Sequence, residues 1–167
     1  GSTNTGTLAV VSTLGAITKT GALNVGSTSS FTTSANDAAI TLSSTTNALT
    51  GNVTVSSQGT SGNVTIDNGT TALGVQGTAN GNLVLISGEV ITDSAALTVS
   101  GTTTVTTDVA DKAITLGTLA STGDVSLNSS GTTGNAVVNN TTTALGLAAS
   151  SIGGTLTAET DNSITVK

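Results

Sequence analysis

Short kernels of the form apolar–polar–apolar recur along the chain, each flanked by Gly, Asn, Ser or Thr. Ile40-Thr41-Leu42, Val53-Thr54-Val55, Val64-Thr65-Ile66 and Leu97-Thr98-Val99 are examples. Alternation with a period of two turns one face of a strand inward and the other outward. No stretch keeps a 3.6-residue period long enough to predict a helix. Further kernels centre on Leu23/Val25, Phe31, Leu73/Val75, Leu83/Leu85 and Ile91. A second set follows at Val105, Ile114/Leu116, Val125/Leu127, Ala136/Val138, Leu145/Leu147, Leu156/Ala158 and Ile164/Val166.

The two sets are copies. Gly62-Asn63-Val64-Thr65-Ile66 returns as Gly134-Asn135-Ala136-Val137-Val138, and Thr70-Thr71-Ala72-Leu73-Gly74-Val75 as Thr142-Thr143-Ala144-Leu145-Gly146-Leu147, both offset by 72. Asp37-Ala38-Ala39-Ile40 returns as Asp111-Lys112-Ala113-Ile114 with an offset of 74. The change of offset places a two-residue deletion between Leu116 and Gly123, in a turn, where indels are tolerated. Ala16-Ile17-Thr18 also resembles Val90-Ile91-Thr92. The expected organisation is a single solenoid segment over 1–167, with a partial repeat at 1–20 and super-repeats at 21–94 and 95–167.

Many short strands fit either a sandwich or a solenoid. A sandwich core about 10 Å thick needs bulk, and Phe31 is the only aromatic residue. A long internal duplication has no natural place in one sandwich, whereas it extends a stack. Absence of Pro suits strands that are nearly all interior, where each N–H must donate to the next coil. The expected fold is therefore all-β, a right-handed parallel β-helix (β-solenoid) of about eight to nine coils. The right hand follows from the general bias of parallel crossovers. Eight kernels per super-repeat, taken two per coil, predict four coils per super-repeat and about 18 to 19 residues per coil.

Composition narrows the function. The chain has three Lys, no Arg, nine acidic residues and a net charge of −6. That balance excludes phosphate neutralisation and so nucleic-acid binding, and it disfavours docking on anionic lipid. The apolar runs are far shorter than the roughly 20 residues of a membrane-spanning helix, so no membrane insertion of this segment is expected. No basic stretch followed by a long apolar run opens the chain, so no signal peptide is expected there. Without Cys or His there are no thiolate or imidazole metal ligands.

Candidate chemistry is sparse. Asp37 and Asp111 are repeat equivalents just before a strand and read as turn aspartates bonding their own backbone. Calcium needs several converging oxygens, and Asp108 beside Asp111 has the neutral equivalent Ser34. Polysaccharide cleavage needs paired carboxylates, yet Asp93, Asp108, Asp111 and Asp124 fall in different turns. No catalytic, cofactor-binding or metal residue is assigned, no cofactor is expected, and the chain reads as a non-enzyme. Outward Thr41, Thr54, Thr65, Thr92, Thr98, Thr115, Thr157 and Thr165 would suit an ordered-water face. That pattern is interrupted by Asn24, Gly74, Val84, Ser126, Val137 and Gly146. Phe31 stands where Val105 stands in the second copy and is expected inside the bore.

The run from Ile91 to Val105 (Ile91-Thr92-Asp93-Ser94-Ala95-Ala96-Leu97-Thr98-Val99-Ser100-Gly101-Thr102-Thr103-Thr104-Val105) resembles the repeats of filamentous-haemagglutinin-like large exoproteins. So does Ala148-Ala149-Ser150-Ser151-Ile152-Gly153-Gly154-Thr155-Leu156-Thr157-Ala158. The resemblance implies a β-helical stalk, two-partner secretion, and a role in adhesion, biofilm formation or delivery of a distant effector. That family's secretion domains carry Asn-Pro motifs, and with no Pro here that domain is not expected in this segment. The expected function is a structural stalk or spacer of a secreted bacterial surface protein. Flanking solenoid repeats and end-to-end self-association are its expected partners. The alternatives are a glycan-binding adhesive face and, second, an ice-binding solenoid.

Overall fold

The computed structural model describes all residues, Gly1–Lys167, as twenty short strands and no helix. After β1 (Ser2–Asn4), coil 1 holds β2 (Leu8–Ser12), β3 (Ile17–Lys19) and β4 (Leu23–Val25). Coil 2 holds β5 (Ser29–Asn36), β6 (Ile40–Leu42) and β7 (Ala48–Leu49). Coil 3 has β8 (Val53–Gln58) and β9 (Val64–Asp67), and coil 4 has β10 (Leu73–Ala79) and β11 (Leu83–Ser87). Coil 5 has β12 (Ile91–Val99) and β13 (Thr103–Thr107). Coil 6 has β14 (Ile114–Leu116), β15 (Leu119–Ser121) and β16 (Val125–Asn128). Coil 7 has β17 (Ala136–Asn139) and β18 (Leu145–Leu147), and coil 8 has β19 (Leu156–Glu159) and β20 (Ile164–Val166).

All pairings between these strands are parallel. Sheet I runs β2-β5-β8-β10-β12-β14-β17-β19, with β15 also beside β12. Sheet II runs β3-β6-β9-β11-β13-β16-β18-β20, and a short sheet III runs β1-β4-β7. The fold is an all-β parallel β-solenoid of eight coils. Each kernel sends its flanking aliphatics inward, where 28 buried residues from Ile17 to Leu145 form one continuous cluster. Phe31 and Val105 both lie in it. Burying one such aliphatic side chain contributes about 1.5–3 kcal/mol.

The coils are longer than the expected 18 to 19 residues, and the super-repeat is not four of them. Facing residues one coil apart differ by as few as 18 positions (Leu73 and Ile91) and as many as 24 (Ile40 and Val64). The equivalents Val53 and Val125 lie in sheets I and II, and Val64 and Ala136 lie in sheets II and I. Ile40 and Ile114, Leu73 and Leu145, and Phe31 and Val105 exchange sheets in the same way. One super-repeat is thus three and a half coils, and its two copies present equivalent residues on opposite faces.

One kernel per copy departs from the pattern of two strands per coil. Leu23-Asn24-Val25 forms β4 in sheet III and adds no strand to the alternation. Its equivalent Leu97-Thr98-Val99 is fused with the Ile91 kernel into the nine-residue β12. Inside β12 the register against β10 jumps from Val75↔Asp93 to Gly77↔Leu97, so that Ser94, Ala95 and Ala96, all exposed, stand opposite the single Gln76. That bulge is the junction between the super-repeats.

Candidate functional site

Three aspartates act between coils. Asp37 Oδ1 accepts the N–H groups of Thr60 (2.8 Å) and Ser61 (2.7 Å). Asp111 Oδ1 accepts those of Thr132 (2.7 Å) and Thr133 (2.8 Å), and the Thr133 hydroxyl besides. Asp93 accepts the N–H groups of Gly117 (2.8 Å) and Thr118 (2.6 Å). Asp37 and Asp111 therefore cap the turn of the following coil, and the expectation that they bond their own turns is corrected. Parallel stacking explains it, because it brings the next turn's free N–H groups alongside each carboxylate. Both residues sit at positive φ, 61° and 64°, a region that Asp tolerates better than most. The Thr133 and Thr132 N–H groups hold the Asp111 carboxyl below its usual range.

The remaining charges do not converge. Asp67 accepts the Gly69 N–H within its own turn. Asp124 pairs with Lys167 at 2.7 Å, and Glu89 pairs with Lys112 at 2.8 Å. No three of Asp, Glu, His or Cys come together in a metal-binding arrangement.

Buried amides, which leave no mark in the apolar–polar alternation, do more for the fold. Asn140 is fully buried. It accepts the Ser121 N–H (2.8 Å), and its amide donates to the carbonyls of Ser121, Thr143 and Ala144. Its equivalent Asn68 bonds Leu49 N–H and C=O, and the carbonyls of Thr71 and Ala72, in the same way. Each amide stands in for the peptide of a missing third strand and so ends the run of β7 or of β15. Asn47 accepts the Leu23 N–H, and its amide donates to the carbonyls of Leu42 and Asp67. The recurrence of Asn-x-x-Thr-Ala-Leu at Asn68 and Asn140 was the available signal. Inward hydroxyls close the corners: Thr33, Ser57, Thr107 and Ser129 each donate to the carbonyl five residues ahead.

The outward Thr residues divide among separate columns. Sheet II carries Thr18–Thr41–Thr65–Val84–Thr104–Ser126. Sheet I carries Val11–Thr32–Ser56–Thr78–Thr98–Ala120 and, beside it, Gly74–Thr92–Thr115–Val137–Thr157. Val84, Gly74 and Val137 interrupt them where the sequence placed the breaks. The ends differ from the faces. Leu8, Val10, Ile17, Leu23, Phe31 and Leu42 line a cavity of about 280 Å³ at the mouth of coil 1. At the other end Ile164 is 45% and Val166 75% exposed.

A family model described as repeats of unknown function (DUF5649) matches residues 1–56 and 61–128. The chain belongs to that family. The DUF5649 match spans the partial repeat, all of β12 and the bulge, and both capping aspartates Asp37 and Asp111. No curated protein and no solved structure matches the chain.

Proposed function

We propose that this DUF5649 segment is a spacer, a rod whose useful property is length, within a secreted bacterial surface protein of the kind its residues resemble. The observation that supports this most is the bore. One aliphatic cluster runs through the stack, and the buried amides of Asn68 and Asn140 beside it bond one coil to the next. Strand contacts are richest between adjacent coils, so coils add reach without changing those further away. Eight coils at about 4.8 Å each give a rod on the order of 40 Å long. The resemblance to filamentous-haemagglutinin-like exoproteins supports the extracellular setting, with adhesive or effector modules at the rod's end.

The test replaces the segment, within the full-length protein, with an unrelated solenoid of equal length. Surface attachment should survive the replacement and fall when the segment is deleted. Loss of attachment despite restored length overturns the spacer reading and points to a binding face. A glycan array probed with the folded chain then separates a carbohydrate face from other ligands.

A further inference from the structure

The two super-repeats fill the same corner in opposite ways. In the second copy Asp93 closes the turn between β14 and β15. Its carboxylate accepts the N–H groups of Gly117 (2.8 Å) and Thr118 (2.6 Å) and the Thr118 hydroxyl (3.1 Å). The repeat equivalent of Asp93, at an offset of 74, is Lys19. The register is shared by both copies. Ile91 and Thr92 face Ile114 and Thr115, and the turn opens at Gly117. Ile17, Thr18 and Lys19 face Ile40, Thr41 and Leu42, and the turn opens at Ser43. The first copy's turn, Ser43-Ser44-Thr45-Thr46, is two residues longer but begins at the same place. A cation thus stands where the second copy has its anion.

Nothing in the chain replaces that carboxylate. The N–H groups of Ser43 and Ser44 find no acceptor. The Ser44 hydroxyl pairs with that of Thr46 (2.9 Å) and shapes the turn. Lys112 pairs with Glu89 and Lys167 with Asp124, whereas Lys19 has no acidic partner. Its ammonium lies over its own turn, where a Cβ on Gly21 would meet Nζ at 3.5 Å. Between residues 1 and 66 the only charged side chains are Lys19 and Asp37, and Asp37 is engaged with Thr60 and Ser61. The excess of acid on the rest of the rod therefore does not stand against an anion here.

We propose that this corner binds a carboxylate supplied from outside, that of a hexuronate in an acidic polysaccharide. The Ser43 and Ser44 N–H groups hold it as Gly117 and Thr118 hold Asp93, and the Lys19 ammonium neutralises its charge. Hydrogen bonds from successive backbone N–H groups to an ionised acceptor are strong for their size. The hydroxyls decide for a sugar. Between Leu42 and Asn47 the turn holds only Ser and Thr, and Lys19 is flanked by Thr18 and Thr20. Such a surface matches the donors and acceptors of a sugar ring and offers nothing to the apolar side chains of a peptide. The site lies between coils 1 and 2, which pair along β3 and β6, and uses neither outer edge of the stack. It goes beyond the spacer reading and does not rest on it.

The test follows the backbone amide signals of the isotope-labelled 167-residue chain during titration with an oligogalacturonate. A neutral galactose oligomer of equal length and an acidic peptide serve as comparison probes. The oligogalacturonate should shift the Ser43 and Ser44 signals saturably and leave those of Gly117 and Thr118 unmoved. The comparison probes should shift Ser43 and Ser44 far less. Lys19→Gln should weaken the binding several-fold. Lys19→Asp should abolish it, because the chain then supplies the carboxylate, and should raise the melting temperature as the turn gains its cap. Ser43 and Ser44 signals that stay put under excess oligogalacturonate overturn the proposal. So does a Lys19→Asp chain that binds undiminished or melts no higher than the parent. Equal shifts with the neutral oligomer overturn the role of the carboxylate, and equal shifts with the peptide overturn the assignment to a sugar.

Discussion

Replacing Asn140 with Ala leaves the N–H and C=O of Ser121 buried without partners. Each such group costs about 1–3 kcal/mol. Urea unfolding should show a loss of about 3 kcal/mol, far above the roughly 0.5 kcal/mol of an ordinary surface change. Inside and outside are equally sharp one coil away. Val125→Asp buries an unpaired charge in a dry core and should unfold or badly weaken the chain. Thr104→Asp, in an outward column, should shift stability by about 0.5 kcal/mol or less. Similar melting temperatures for the two would overturn the strand register. Asp111 supplies a pH dependence. Its folded pKa lies below the unfolded one because the Thr133 and Thr132 N–H groups favour the carboxylate. That contribution is complete above the unfolded pKa and disappears as pH falls through the folded one. Asp111→Asn keeps the shape and tolerates the positive φ, so its melting temperature should lie below the parent's at neutral pH and converge with it in acid.

At the scale of the strand, the kernels and their inward residues were legible, because a two-residue alternation of Val, Leu and Ile with Thr has one reading. Their assignment to coils was not. Leu23-Asn24-Val25 looks like any other kernel, and only the inserted Ser94-Ala95-Ala96 and the buried Asn68 and Asn140 show where a third strand starts and stops. A pattern that records in and out holds no record of which face. The long-range caps of Asp37, Asp93 and Asp111 were hidden for a related reason, since their partners lie one coil away at a spacing that varies. The bulge depends on Gly77, at φ 108°, where a Cβ would collide with the Val55 carbonyl. Gly77→Ala should therefore cost about 2 kcal/mol or more, seen as a lower denaturation midpoint. An unchanged midpoint would show that the strand accepts a different register there.

For the whole molecule, a half-integral repeat means that adding or removing one super-repeat changes two things together. The rod gains or loses three and a half coils, about 17 Å, and everything beyond the change turns by half a revolution. A spacer is indifferent to the turn and responds to the length, so attachment should vary smoothly with repeat number. A single binding face would instead alternate between odd and even numbers. That the same unit lengthens the rod and turns it is the central claim, and the absence of Cys makes it directly measurable with paired spin labels. Thr18 and Thr104 share the sheet II column, four coil steps and so about 19 Å apart. Thr41 and Thr115 are repeat equivalents on opposite sheets. Electron–electron distances between cysteine-linked labels should be longer for Thr41–Thr115 than for Thr18–Thr104, although fewer coils separate them. A shorter Thr41–Thr115 distance would place both equivalents on one face and contradict the half-turn repeat.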